Sequence, residues 1–287
     1  MAGLTTPDGR RLAYRRSGSG PTLVCHPGGP GFSSLYLADL GGLDPELELV
    51  LLDPRGSGGS SRPADPRAYA VEDYVADLEL LREHLKLERL NLLGHSHGGI
   101  VAAAYAARHP ERIEHLILAS SLARFSPEQE EAMQQAMERR SHEPWYEDAK
   151  AALEAEEAGD YESDEELAEL SVREFPFYFA TYGECERAYL DSLRGDVPNG
   201  DALRFFNAEV FETFDLRPEL PRITAPTLVV TGQEDFITGP PSAADFVSAI
   251  PHAELVRILA AGHFVFVEAP GPFREAVLSF LGVGAAA

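Results

Sequence analysis

Gly94-His95-Ser96-His97-Gly98 sets one hydroxyl between two glycines in the spacing G-x-S-x-G. That spacing suits a sharp turn from strand to helix with the serine at its apex. Residues two places away must lack side chains for the strand and helix to approach. A helix that starts there aims its first amides at the apex and favours developing negative charge. A serine at neutral pH is a poor nucleophile and needs a base, normally a histidine oriented by an acid. Asp235 and His263 follow in the chain order Ser, acid, His, which is one of the orders such triads take. Glu234, beside Asp235, is the alternative acid. A second chemical signal is Pro27-Gly28-Gly29-Pro30-Gly31. Its glycines let backbone N–H groups come close to a substrate oxygen, and the expected donors to an oxyanion are the amides of Gly29 and His97.

These groups need elements to hold them. Residues 90–93 read as a buried strand stopped by Gly94, and residues 98–108 as an Ala-rich helix closed by His109-Pro110. Residues 22–25 form a β-rich run directly before the Gly/Pro loop. Residues 47–52, 113–118, 226–231 and 253–259 are further strand-like runs. Asp235 lies just past the fifth of these six runs and His263 just past the last. Residues 72–87 show helical spacing, with apolar Val75, Leu78, Leu81 and Leu85 on one face. Residues 272–281 read as a closing helix. Strands alternating with helices predict an α/β fold with a mostly parallel sheet covered on both faces.

The texture changes over residues 122–220. Strand-like runs vanish, and 26 Asp and Glu stand against 9 Arg and Lys, leaving −17 of the chain's −23 in this stretch. We therefore divide the chain into a core in two parts, 1–121 and 221–287, with an acidic helical cap inserted at 122–220. The cap is either a solvated, repulsive surface or an electrostatic funnel for a cationic substrate. The tail at 284–287 is expected to fray.

Composition excludes several other classes. The 287 residues are 44% hydrophobic and 25% charged, which is ordinary for a globular chain. A net charge of −23 repels phosphate backbones and acidic bilayers, so neither nucleic acid nor membrane is expected as a partner. The longest apolar run has eight residues (100–107), whereas a bilayer span needs about 20. Residues 1–14 have no apolar stretch of the kind a secretory leader carries. Two cysteines, Cys25 and Cys185, are too few for a disulfide framework or a zinc cluster and fit a reducing cytoplasm. Gly56-Ser57-Gly58-Gly59 does not follow G-x-G-x-x-G, and neither a phosphate-binding loop nor H-E-x-x-H occurs. The expected chemistry needs no cofactor and no metal. Asp53 reads as a turn residue, too early in the chain to be the acid. His26 reads as a structural hydrogen-bonding residue, and Glu268 as a capping or pairing residue near the last helix.

Taken together, the motifs PGGPG (27–31), DPRGSGGS (53–60), GHSHGG (94–99), GQED (232–235) and AAGHFVFVEAP (260–270) resemble an α/β-hydrolase of the proline iminopeptidase group, peptidase family S33. The resemblance implies that Ser96 is the nucleophile, Asp235 the acid, His263 the base, and Gly29 with His97 the oxyanion donors. It also implies release of N-terminal residues from small peptides or amides. The family usually reads HGGPG and DQRG where this chain has PGGPG and DPRG. Its cap glutamates bind the substrate's free α-amine, which makes Glu209 the matching candidate. An acidic residue commonly follows the family's triad Asp, but Phe236 stands there in this chain and makes that substrate-facing position apolar. A carboxylesterase or another small-molecule ester or amide hydrolase is the rival reading. A third reading, an idle binding module on the same fold, is opposed by the complete Ser96, Asp235 and His263 set.

Overall fold

The computed structural model describes residues 1–211 and 213–284. Residues 285–287, most of the tail expected to fray, lie outside the described residues. All six anticipated strand-like runs are strands. In chain order they are β3 (Thr22–His26), β4 (Glu48–Leu52), β5 (Leu90–His95), β6 (Ile113–Ala119), β7 (Thr227–Gly232) and β8 (Ala253–Ile258). Two strands precede them that the reading of the sequence missed: β1 (Ala2–Thr5) and β2 (Arg11–Gly18). They are joined by a turn through Asp8-Gly9, with Gly9 at φ +85°. The eight strands form one sheet in the order β1-β2-β4-β3-β5-β6-β7-β8. β1–β2 and β2–β4 pair antiparallel, and every other pair is parallel.

Alternation along the parallel strands feeds two cores. Val24, Leu92 and Leu118 face one side, where they join α1 (Val71–Leu85), α2 (His97–Arg108) and α8 (Pro240–Ala249). Leu23, Leu93 and Ile117 face the other and meet Tyr36, Leu37 and α10 (Pro270–Phe280). The Ala-rich character of α2 follows from its position: every residue from His97 to Ala107 is buried, so only small side chains fit most of the turns. Between β6 and β7 the described chain is helical, with α3 (Pro127–Glu138), α4 (Tyr146–Ala158), α5 (Asp164–Glu174), α6 (Glu184–Ser192) and α7 (Gly200–Phe205).

Asp53 and Arg55, just past β4, serve the scaffold. Buried Asp53 accepts from the Ser34 N–H at 3.0 Å, the Ser34 hydroxyl at 2.7 Å and the Gly59 N–H at 2.9 Å. Arg55 pairs with buried Asp77 of α1 at 2.7 Å and donates to the carbonyls of Ala68 and Asp73. Arg55→Met strips Asp77 of its closer cation and takes one donor from each of the carbonyls of Ala68 and Asp73. We expect a loss of about 3 kcal/mol of unfolding free energy, measured by urea denaturation. A loss under about 1 kcal/mol contradicts this account.

Candidate active site

Ser96 sits between β5 and α2 with φ 55° and ψ −125°, a conformation L residues rarely adopt. The turn is held from several sides. The Ser96 N–H donates to the Ala119 carbonyl at 3.0 Å, and the Ser96 carbonyl accepts from the Ser121 hydroxyl at 2.7 Å and the Gly99 N–H at 2.8 Å. A side chain at Gly94 would strike the Gly98 carbonyl, and one at Gly98 would strike the carbonyls of His26 and Pro27. The loop after β3 then lies directly against the serine, because a Cβ on Gly28 would overlap the Ser96 Cβ.

Asp235, past β7, is buried and meets His263, past β8, at 3.0 Å between Oδ2 and Nδ1. Thr238 completes this corner. Its N–H donates to Asp235 Oδ1 at 3.0 Å and its hydroxyl to Oδ2 at 2.7 Å, and its Oγ1 lies 3.2 Å from His263 Nδ1. Burial pushes the Asp235 carboxyl up, but His263 and the Thr238 bonds outweigh it and hold the carboxyl below its ordinary range. Glu234, the alternative acid, is 42% exposed and faces Arg139 at 3.8 Å, so the geometry brings Asp235 to His263 and leaves Glu234 outside. Ser96 and His263 line one cavity of about 970 Å³. Among the described residues Ser96 Oγ makes no hydrogen bond to His263. Such contacts are commonly long before a substrate tightens them.

Gly29 and His97 line the same cavity, and their N–H groups donate to no other group among the described residues. His97 opens α2, so its amide lies at the positive end of that helix. The neighbouring Gly28 N–H is taken by the Tyr36 hydroxyl. Tyr36 in turn donates to His95 Nδ1 at 2.8 Å, and His95 Nε2 donates to the His263 carbonyl at 3.1 Å. One relay therefore joins the Gly28 loop, the residue before the serine and the His263 loop. Burial holds His95 neutral, down to about 3, with nearby His263 adding to the effect. Tyr36 and Thr238 belong to no motif, and His95 fills an unspecified position of G-x-S-x-G, so only their placement marks their roles. His26 is structural as expected, donating from Nδ1 to the Pro27 carbonyl at 2.8 Å.

Two expected substrate residues are placed elsewhere. Glu209 lies on a single π turn (Phe206–Val210) and is exposed, whereas its neighbours Phe206 and Asn207 line the cavity. The irregular turn presents those two inward and Glu209 to water. Phe236 is 2% exposed and does not line the cavity. It packs on Phe177 and Tyr178 at ring distances of 5.6 and 4.9 Å, joining the acid loop to the inserted helices. The acidic group that the sequence did not single out is Glu174, at the end of α5. It is 1% exposed, lines the cavity, and its Oε2 has no hydrogen-bond partner among the described residues. Glu156 of α4 lines the cavity beside it. Burial, reinforced by Glu156, raises the Glu174 carboxyl well above its usual value.

Residues 21–270 match the family described as alpha/beta hydrolase fold. The chain is 30% identical to a proline iminopeptidase of Levilactobacillus brevis over 93% of this chain and 89% of that one. Among solved structures, a hydrolase from Pseudomonas aeruginosa PA01 is 31% identical with a TM-score of 0.73, covering 98% of each chain. The enol-lactonase from Burkholderia xenovorans LB400 is 29% identical with a TM-score of 0.74, covering 98% of this chain and all of its own. The chain belongs to the α/β-hydrolase fold family. It is a hydrolase, and within that family it resembles the proline iminopeptidases.

Tyr36→Phe removes the hydroxyl that joins Gly28 to His95 while keeping the ring packed. We expect kcat to fall about tenfold or more with KM little changed and circular dichroism intact. A kcat within about twofold of wild type contradicts a role for the relay in holding the loop.

Proposed function

We propose that this hydrolase works by acyl transfer through Ser96, His263 and Asp235, and that it releases N-terminal residues from short peptides or amides. We read residues 1–121 and 221–287 as the catalytic core and 122–220 as a cap that bounds the substrate. What carries the catalytic reading is the Asp235–His263 contact at 3.0 Å in a cavity that Ser96 also lines. Ser96 attacks the carbonyl as His263 takes its proton. The amides of Gly29 and His97 stabilise the oxyanion. Asp235 fixes the histidine's tautomer and stabilises the imidazolium. His263 then protonates the leaving group and later activates water to release the acyl group.

The aminopeptidase reading rests on the family resemblance together with Glu174, a buried cavity carboxyl whose Oε2 has no hydrogen-bond partner among the described residues. A buried carboxylate with no cation beside it is costly, and an ammonium group seated beside it and Glu156 would satisfy both. Amine recognition thus moves from exposed Glu209 to Glu174. The esterase reading is favoured by the aromatic lining of Phe32, Phe125, Phe206, Phe211 and Phe264, which asks for no charge on the substrate.

The test is parallel hydrolysis of proline and alanine arylamides against short-chain aryl esters. Ser96→Ala is expected to lower kcat on every substrate turned over by about ten-thousand-fold. Retention of a tenth of the activity in a folded variant contradicts the nucleophile. Glu174→Gln is expected to reduce kcat/KM for the arylamide by at least about tenfold and to leave ester hydrolysis within about twofold. Because Glu174 titrates above the ordinary carboxylate range, the wild-type ratio of arylamide to ester kcat/KM should fall with acid from above that range. In Glu174→Gln the ratio should lose that dependence. Equal effects on both substrates, or no arylamide turnover by wild type, favour the esterase.

A further inference from the structure

The short helix α9 (Val265–Glu268) ends in a half-buried carboxylate whose two oxygens serve two different parts of the chain. Glu268 Oε2 accepts from the Gly262 N–H at 2.7 Å, one residue before His263. Oε1 accepts from the Ala180 N–H at 2.6 Å, in the segment that follows α5. The two segments also touch directly, since the His263 N–H donates to the Tyr178 carbonyl at 2.7 Å. The approach is so close that a side chain on Gly262 would collide with the Tyr178 carbonyl. Arg140 of the same inserted stretch closes the seam on the acid side, donating to the carbonyls of Phe179 at 3.2 Å and Glu234 at 2.9 Å.

We propose that Glu268 is a positioning residue for the proposed base: its carboxylate clamps residues 178–180 to the Gly262-His263 turn and so sets where His263 stands. This rests on the reading of His263 given above. No cation lies within ion-pair distance of Glu268 among the described residues, so backbone amides alone satisfy it. Such an acceptor works through geometry, with one oxygen for each N–H. Burial pushes the Glu268 carboxyl up to about 7, against the pull of its backbone donors, and the charged groups facing it are Glu186 and Arg140. Above that value both oxygens accept fully. Protonation below it turns one oxygen into a hydroxyl and weakens one of the two arms.

Glu268→Gln is the informative change, because it keeps the shape and one acceptor while turning the other arm into a donor facing a donor. With the aryl ester as probe we expect kcat at pH 8 to fall about tenfold and KM to stay within about threefold. The ratio of wild-type to variant kcat should be largest above pH 7 and shrink toward acid as wild-type Glu268 protonates. A merely structural role would lower the melting temperature without this pH-dependent ratio. Hydrogen exchange followed by mass spectrometry gives a readout free of activity: peptides covering 177–181 and 261–264 should exchange faster in the variant, with the sheet unchanged. An unchanged kcat, a ratio independent of pH, or exchange accelerated over the whole sheet overturns the clamp. A wild type that hydrolyses none of the probes sinks the catalytic reading instead, and the exchange result alone then decides whether the clamp exists.

Discussion

The site depends on one strained residue. Ser96 at φ 55° is tolerated only because the chain around it leaves no other arrangement: β5 delivers it, α2 leaves from it, and its N–H and carbonyl are both engaged. Gly94 and Gly98 are the cost of that turn, since any side chain at either would drive strand and helix apart. The same closeness brings the loop after β3 against the serine, and Gly29 and His97 line the same cavity as Ser96. Strain at the apex thus sets the serine and the two proposed oxyanion donors on one cavity.

Around that apex the parallel sheet supplies the other groups from the carboxyl ends of neighbouring strands: the amide loop past β3, Asp235 past β7 and His263 past β8. Ligand sites at these ends are the rule for open α/β sheets. What is particular here is how firmly the inserted helices are tied to each loop. The Asn199 N–H donates to the Gly31 carbonyl at 2.9 Å, and the Ser33 hydroxyl donates to Asp196 at 2.6 Å. Phe236 packs into the insert, and Tyr178 accepts from His263. The insert therefore bears on the geometry of the site as well as on its size.

How much of this was legible follows from the range of each interaction. The Ser96 turn is encoded locally, in five residues and the elements either side, so it is plain in the sequence. Asp235 and His263 are legible because each stands just past a strand. Glu209 and Glu174 are a different case. Both stand in a strongly acidic stretch; the π turn at 206–210 leaves no periodic trace, whereas Glu174 continues the buried helical face of Leu167, Leu170 and Ser171, a spacing that could have singled it out. Tyr36 and His95 act through long-range hydrogen bonds, and Thr238 bonds Asp235 three residues away and lies against His263; none of the three has a spacing that betrays its role. The β1–β2 hairpin did leave a signal, the Asp8-Gly9 turn, but β2 buries Leu12, Ala13 and Tyr14 in a row and so lacks the alternation that marks a strand.

The central claim is that Ser96 becomes covalently acylated. Its most direct measurement is a rapid-quench reaction of the wild-type chain with an activated aryl ester, followed by intact-mass and peptide mass mapping. The account predicts a burst of released phenol matched by a single acyl adduct on the peptide bearing Ser96, which disappears as the acyl group is hydrolysed. Turnover with no adduct, or an adduct on another residue that forms and decays at the turnover rate, would contradict it.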